Sequence, residues 1–245
     1  MKVVAGGGSG GARDESEMRR SGPQITGRDR EILAWIGRHG VVTADQVARR
    51  FFGRDDGELG KRAAYRRLTV LEGLGLIRRD RTPFWRAPHV LRITKAGAEV
   101  GEIDIAPARI VEAEMRHSLA LVDLAEQLLA DNPGATVRTE REIRTDRWHE
   151  RHAGTRQPAR GRTPDGELTL KNGKVVAIEL DLTPKRSKDF ERILRAYRQE
   201  RFDKVWWYVL PGVVPRVTKL VNENRVEDFI DVRPWTPVYV SALTG

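Results

Sequence analysis

The sequence contains no cysteine. Disulfide bridges, thiolate zinc sites, iron–sulfur clusters and a cysteine nucleophile are therefore excluded. A metal ion could be held only by carboxylates or by the few histidines. The phosphate-binding pattern GxxxxGK[ST] is also missing, so nothing in the sequence indicates nucleotide hydrolysis.

Long apolar runs are missing as well. No stretch approaches the roughly 18 apolar residues of a membrane span, and residues 1–11 lack the apolar segment of a signal peptide. We therefore expect a cytoplasmic protein that makes no contact with a membrane. The 35 acidic residues are outnumbered by 44 basic ones, which gives a net charge of +9. This excess of positive charge favours a polyanionic partner such as nucleic acid. A solvated surface rich in arginine, with no such partner, would give the same net charge.

Length and local composition indicate two domains after a flexible arm. The 245 residues exceed the usual domain size of about 100 to 150 residues. Residues 1–24 combine a Gly/Ser run with mixed charges and almost no apolar side chains, which predicts an unstructured arm. We place the first domain at residues 25–104 and the second at residues 105–245.

Three helices are predicted at the start of the first domain. Thr26 and Thr43 are good N-cap residues, and apolar side chains recur after each of them near helical spacing. On the third predicted helix, Ala64, Leu68 and Leu71 share one face. The opposite face carries polar and basic side chains, namely Arg62, Tyr65, Arg66 and Thr69.

Two predicted strands around a basic turn follow the third helix, which completes the element order of a winged helix. The pattern LxxLExLGLI at residues 68–77, followed by a basic wing, resembles the winged-helix DNA-binding modules of bacterial transcription factors. The resemblance implies that the third helix enters the major groove while the wing follows the DNA backbone. The residues implied to face DNA are Arg62, Arg66 and Thr69 at base edges, Lys61 and Tyr65 at phosphates, and Arg78, Arg79 and Arg81 on the wing. A solvated basic helix face and a protein-docking surface are the alternatives.

The second domain has the predicted order αβββαβαβ, which indicates an α/β sheet and makes the whole chain α+β. A long helix opens after Pro107, and the aromatic run at residues 206–208 is predicted to be core. A strand is predicted at residues 136–143, followed by a long mobile loop at residues 144–162. Arginines and Trp148 in this loop suit phosphate contacts and base stacking. The arginines concerned are Arg147, Arg151, Arg156, Arg160 and Arg162.

Carboxylates in this domain could form a metal site. Asp165 lies in a Pro-Asp-Gly step, and alternation along the strand at residues 176–182 puts Glu179 and Asp181 on one face. Three convergent carboxylates would hold Mg²⁺ or Mn²⁺, and Lys185 could orient an attacking water. Glu114 on the preceding helix is a weaker candidate ligand. The alternative is a common turn followed by the solvent-facing side of a half-exposed strand.

These residues resemble the PD-(D/E)XK nucleases, whose restriction-endonuclease-like core has the order αβββαβ. The resemblance implies catalytic roles for Asp165, Glu179, Asp181 and Lys185. The family pattern places a lysine two positions after the acid of the second motif, whereas this strand reads Glu179-Leu180-Asp181. Lys185 could be a relocated lysine, or the domain could be a degenerate member that does not cut.

A winged helix, the segment Arg116-His117-Ser118-Leu119-Ala120, the Pro-Asp-Gly step and the stretch IELDLTPKR together resemble the replication-relaxation family of actinobacterial plasmids, phages and integrated elements. The resemblance implies a role in the replication, transfer or control of a mobile element, with double-stranded DNA as partner. Two functions remain open: a DNA-binding protein with a non-cutting nuclease-like domain, or a metal-dependent endonuclease targeted by the winged helix. A homodimer that reads paired half-sites is compatible with either function.

Overall fold

Helices dominate the first part of the chain, and a five-stranded sheet dominates the second part. The computed structural model describes residues 23–53, 57–82, 89–153, 162–183, 187–197 and 202–237. The helices of these ranges are α1 (Gly27–His39), α2 (Ala44–Phe51), α3 (Gly57–Gly73), α4 (Lys95–Val100), α5 (Glu112–Asp131), α6 (Glu140–His152), α7 (Ser187–Tyr197) and α8 (Val214–Glu223). The strands are β1 (Ile77–Arg81), β2 (His89–Ile93), β3 (Thr136–Thr139), β4 (Gly166–Thr169), β5 (Val175–Asp181), β6 (Lys204–Val209) and β7 (Ile230–Pro234).

The first two helices begin where the sequence predicts. Thr26 forms a capping box with Asp29, and Thr43 forms one with Gln46, so the first free amides of α1 and α2 are satisfied by side chains. Apolar faces of α1 and α3 then pack into one core. That core includes Ile32, Leu33, Ile36, Leu68 and Leu71, all fully buried.

A small sheet follows α3. Strands β1 and β2 pair antiparallel with Ile77 opposite Ile93, and an isolated bridge joins Val42 to Leu91. The element order and the pairing are those expected of a winged helix. The turn at residues 83–88 between the two strands and the predicted arm up to residue 22 lie outside the described residues.

The second sheet has the order β3-β4-β5-β6-β7. Strands β3, β4 and β5 pair antiparallel, whereas β5, β6 and β7 pair parallel. Helix α5 covers one face of the sheet, and α7 and α8 cover the other. The predicted αβββαβαβ order is therefore present with one added helix, α6. The aromatic run at residues 206–208 is buried, which confirms its assignment to the core.

Helix α6 corrects the interpretation of residues 136–162. Strand β3 ends at Thr139 instead of running to Ile143, and residues 140–152 are helical instead of forming a loop. Thr139 and Glu142 form a capping box that starts the helix, a signal that the sequence contains as Thr-x-x-Glu. Arg147 and Arg151 therefore lie on a helix, whereas Arg156 and Arg160 fall outside the described residues.

Helix α5 also begins later than predicted, at Glu112 rather than near Pro107. Two arginines hold the preceding segment in place, since Arg92 donates to the Ala108 carbonyl and Arg141 to the Ala106 carbonyl. These carbonyl oxygens accept bonds from distant side chains rather than from a helix. None of the helices within the described ranges is long and apolar enough to cross a membrane.

Helix α5 joins the two parts of the chain. Gln46 on α2 donates from Nε2 to the Leu119 carbonyl at 2.9 Å and to Asp123 Oδ1 at 3.0 Å. Arg49, one turn further along α2, forms an ion pair with Asp123. Val122 of the same helix belongs to the core of the first part. The first part of the chain is thus attached to α5, the first helix of the sheet part, by polar and apolar contacts.

Candidate functional site

The exposed face of α3 carries the side chains that the helical wheel assigns to it. Ala64, Leu68 and Leu71 are buried. The opposite face leaves four side chains exposed to solvent, namely Arg62, Tyr65, Arg66 and Thr69. The predicted division of this helix into a packing face and a basic face is therefore confirmed.

Two of the predicted DNA contacts on α3 are held by an acid of α2. Lys61 Nζ lies 3.2 Å from Asp45 Oδ1, and the Tyr65 hydroxyl donates to the same oxygen at 3.2 Å. The hydrogen bond to Asp45 raises the pKa of Lys61. Arg62 and Arg66 form no ion pair with any part of the chain that the structure describes. Their guanidinium groups are therefore the available cations of this face.

The hairpin of β1 and β2, which the sequence analysis predicts as the wing, also carries arginines. Arg78 and Arg81 on β1 are exposed, whereas Arg79 pairs with Glu72 of α3. Across the hairpin, Arg92 pairs with Asp80. Exposed arginines are thus present both on α3 and on β1.

Asp165 lies at the start of β4, beside the strand that carries Glu179. Gly166 pairs with Ile178, so Asp165 and Glu179 occupy adjacent positions on neighbouring strands. Asp165 Oδ2 accepts a hydrogen bond from the Leu180 amide at 2.8 Å and lies 3.3 Å from His117 Nε2. His117 on α5 also contacts the Leu180 carbonyl at 3.0 Å. The sequence analysis does not predict His117 as a site residue, although His117 lies in the segment at residues 116–120 that contributes to the family resemblance.

Glu179 is fully buried, and among the described residues Arg162 and Tyr197 bind its carboxylate. Arg162 donates from Nε to Oε1 and from Nη2 to Oε2, both at 3.1 Å. The Tyr197 hydroxyl of α7 donates a short hydrogen bond to Oε1. Burial raises the pKa of Tyr197, and the neighbouring Glu179 adds to that rise. A buried carboxylate, a partly exposed guanidinium and a neutral phenol therefore form one hydrogen-bonded cluster.

Asp181 shares the face of β5 with Glu179, as the alternation predicts, but it has a different partner. The indole Nε1 of Trp207 on β6 donates to Asp181 Oδ2 at 2.9 Å. Each of the three predicted metal ligands thus accepts at least one hydrogen bond from the protein. In the described part of the chain, no three His, Asp or Glu side chains are grouped so that they could hold a metal ion. Lys185, the fourth predicted catalytic residue, lies outside the described residues.

A charged residue that sequence reasoning missed lies close to Asp165. Glu140 is the first residue of α6, and burial raises its pKa. Asp165 adds to this rise, whereas Arg144 opposes it and pairs with Glu140 one turn along the helix. Recognition of the capping box at Thr139 would have placed Glu140 at a helix start and pointed to this position.

A cavity of about 170 Å³ connects these groups with the first part of the chain. Leucines of α5 and Ile178 of β5 form its apolar lining. Its charged lining consists of Arg38, Arg109, Glu114, Arg138, Glu140, Arg141, Arg144 and Asp165. Glu114 therefore faces the same space as Asp165. The cavity offers carboxylates and guanidinium groups beside an apolar surface.

Comparison with known proteins identifies the family. Neither a curated protein nor a solved structure matches the chain. The family model described as replication-relaxation matches residues 33–210, a range that runs from within α1 to the end of β6. The match spans more than half of the sequence, and so the chain belongs to the replication-relaxation family.

Proposed function

We propose that this protein binds double-stranded DNA in the replication, transfer or control of a plasmid, phage or integrated element. One observation carries the proposal. Arg62 and Arg66 stand exposed on α3, opposite the stripe that packs into the core, and neither is paired within the described residues. The chain also belongs to the replication-relaxation family, and the name of that family supports a role in replication.

The dimensions of α3 suit the major groove. Its 17 residues span about 25 Å at 1.5 Å per residue, and the groove admits an α-helix. Arginine can donate two parallel hydrogen bonds to guanine, which makes Arg62 and Arg66 the base-reading candidates together with Thr69. Lys61, Tyr65 and the wing arginines would contact phosphates. A dimer bound to paired half-sites is part of this proposal and is tested by the stoichiometry of the complex.

The nuclease-like domain is proposed to bind or to position DNA without cutting it. Arg162 already neutralises Glu179, and Trp207 binds Asp181. A metal ion at Glu179 would have to displace a bidentate guanidinium from a fully buried carboxylate, at a considerable cost in free energy. The residue two positions after Glu179 is an aspartate rather than a lysine. Both features favour a domain without hydrolytic activity.

A metal-dependent endonuclease is the second candidate, and one observation favours it. Glu114, Glu140 and Asp165 line the same cavity, so carboxylates reach a space that solvent can enter. Mg²⁺ or Mn²⁺ bound there would supply an activated water. In this alternative Asp165 would hold the ion, and Lys185 would orient the water.

A binding measurement tests the first proposal. A labelled duplex selected from a random-sequence pool is titrated with the parent and with Arg62→Ala/Arg66→Ala. Loss of two arginine–base contacts should weaken binding by about 2 to 6 kcal/mol, because each contact contributes about 1 to 3 kcal/mol. The matched control is Arg192→Ala/Arg195→Ala, which removes two exposed arginines from α7. Equal affinities of the parent and the α3 variant would show that α3 does not read DNA.

A further inference from the structure

Helix α6 carries a half-exposed tryptophan. Trp148 is 50% exposed, whereas the other tryptophans within the described ranges, Trp35, Trp206, Trp207 and Trp235, are buried. An indole that serves only packing is normally covered. The exposed surface of Trp148 is therefore available to a ligand.

Arginines surround this indole on the same side of α6. Arg144 lies four residues before Trp148 and Arg151 three residues after it, and both are exposed. Arg147, which directly precedes Trp148 and lies four residues before Arg151, is half-buried and donates to the Thr163 hydroxyl at 3.3 Å. Side chains three and four residues apart are neighbours on a helix surface, so the indole lies among guanidinium groups. Asp146 on this helix is already paired with Arg138 of β3.

Two histidines hold the indole in position. The ring of His152 lies 4.1 Å from the Trp148 ring between centroids and is tilted by 31°. The ring of His149 meets the indole edge-on at 5.0 Å, and its Nε2 lies 3.0 Å from Asp104 Oδ2. A braced aromatic ring loses little conformational entropy when a ligand stacks on it.

The N-terminal end of α6 lies in the wall of the cavity that contains Asp165. Glu140 and Arg144 both line that cavity. Trp148 follows Arg144 by four residues, which is about 6 Å along the helix axis. A bound strand could therefore extend from Trp148 to the mouth of the cavity while it follows the arginines.

We infer that this face of α6 binds single-stranded nucleic acid, with an unpaired base stacked on Trp148 and phosphates beside Arg147 and Arg151. In a duplex the faces of the bases are covered by their neighbours, so an aromatic platform discriminates in favour of unpaired bases. The guanidinium groups supply the positive charge that a sugar–phosphate backbone requires. The inference rests on the proposed function, because it assumes that nucleic acid is the ligand of this protein.

The experiment titrates the full chain into a labelled oligodeoxythymidine and follows fluorescence anisotropy. Trp148→Ala should weaken the affinity for the oligonucleotide about 5- to 100-fold. Trp148→Phe, which keeps an aromatic ring, should weaken that affinity much less. Arg147→Ala/Arg151→Ala should flatten the slope of log affinity against log salt by about 0.7 for each lost phosphate contact. The control Arg192→Ala/Arg195→Ala should change neither the affinity nor the slope. Unchanged affinity of Trp148→Ala would overturn the inference.

Duplex DNA separates this inference from the proposed function. Trp148→Ala should bind the selected duplex almost as the parent does, and Arg62→Ala/Arg66→Ala should retain the parental affinity for oligodeoxythymidine. If the α3 variant loses the duplex while Trp148→Ala keeps the oligonucleotide, the inference fails and the proposed function stands. If the parent binds neither probe, both fail.

Discussion

Arg162 binds both carboxylate oxygens of Glu179 in the interior of the sheet domain, at 3.1 Å in each case. The side chain of Glu179 is fully buried, whereas that of Arg162 is about one-third exposed at 32%. The pair therefore brings one charge into the core and leaves its counter-ion near the surface. Its presence at the position where a nuclease would bind a metal ion is the structural basis for proposing a domain that does not cut.

Removal of Arg162 should destabilise the protein, because it takes the bidentate guanidinium partner away from a fully buried carboxylate. We expect Arg162→Met to lower the free energy of unfolding in urea by about 3 kcal/mol. The double variant Arg162→Met/Glu179→Gln should lose clearly less unfolding free energy than the two single variants lose together. Arg192→Met, which breaks an exposed pair with Asp189, is the control and should cost less than about 1 kcal/mol. If the two single losses of unfolding free energy simply add in the double variant, Arg162 and Glu179 do not stabilise each other and the prediction is wrong.

Metal ions should not stabilise the parent protein. A ligand that binds the native state raises Tm, so a preformed site would reveal itself in a thermal melt. Because Glu179 and Asp181 are already bound by Arg162 and Trp207, we expect equal Tm values in Mn²⁺, Mg²⁺ and EDTA. A metal-dependent rise that disappears in Asp165→Asn would instead favour the endonuclease.

Much of the fold follows from local signals in the sequence. The capping residues Thr26 and Thr43 mark the starts of α1 and α2. Alternation along β5 puts Glu179 and Asp181 on the face opposite Ile178 and Leu180. Helix α6 was missed because Ile143 is its one buried residue, so apolar periodicity gives almost no signal there. The capping box of Thr139 and Glu142 is the one sequence signal that marks the start of α6.

The partners of the carboxylates could not be predicted in the same way. Arg162 and Glu179 are 17 residues apart and lie on different elements, as do Tyr197 and Glu179. Nothing in the spacing distinguishes a carboxylate that binds a metal ion from one that binds an arginine. That choice depends on tertiary packing, which brings α7 and the segment before β4 to the same face of β5.

Asp29 should make stability depend on acid pH. It accepts hydrogen bonds from Thr26 and from Arg67 of α3. Burial alone would raise its pKa, but the bonds from Arg67 and Thr26 outweigh this effect and lower the pKa below the ordinary value of 3.8. The ionised form is therefore favoured by folding, so its contribution is present above pH 3.8 and is lost as the pH falls through the native pKa.

Asp29→Asn is accordingly expected to lower the free energy of unfolding at neutral pH by about 2 to 4 kcal/mol. The difference between the variant and the parent should shrink as the pH falls below 3.8, which urea denaturation at several pH values measures. The exposed Asp189 provides a control, because Asp189→Asn should change stability little at any pH. A difference that stays constant down to acid pH would contradict the role of the ionised carboxylate.

The central claim is that the protein binds DNA without cutting it, and one gel tests both parts. The parent is incubated with supercoiled, linear and branched DNA in Mg²⁺, Mn²⁺ or EDTA. Each sample is divided and run with and without removal of protein. We predict retarded DNA in all lanes that keep the protein and intact DNA in all lanes from which it is removed. Nicked or shortened DNA in the metal lanes, absent with EDTA and with Glu179→Gln, would contradict the account, as would a complete absence of retardation.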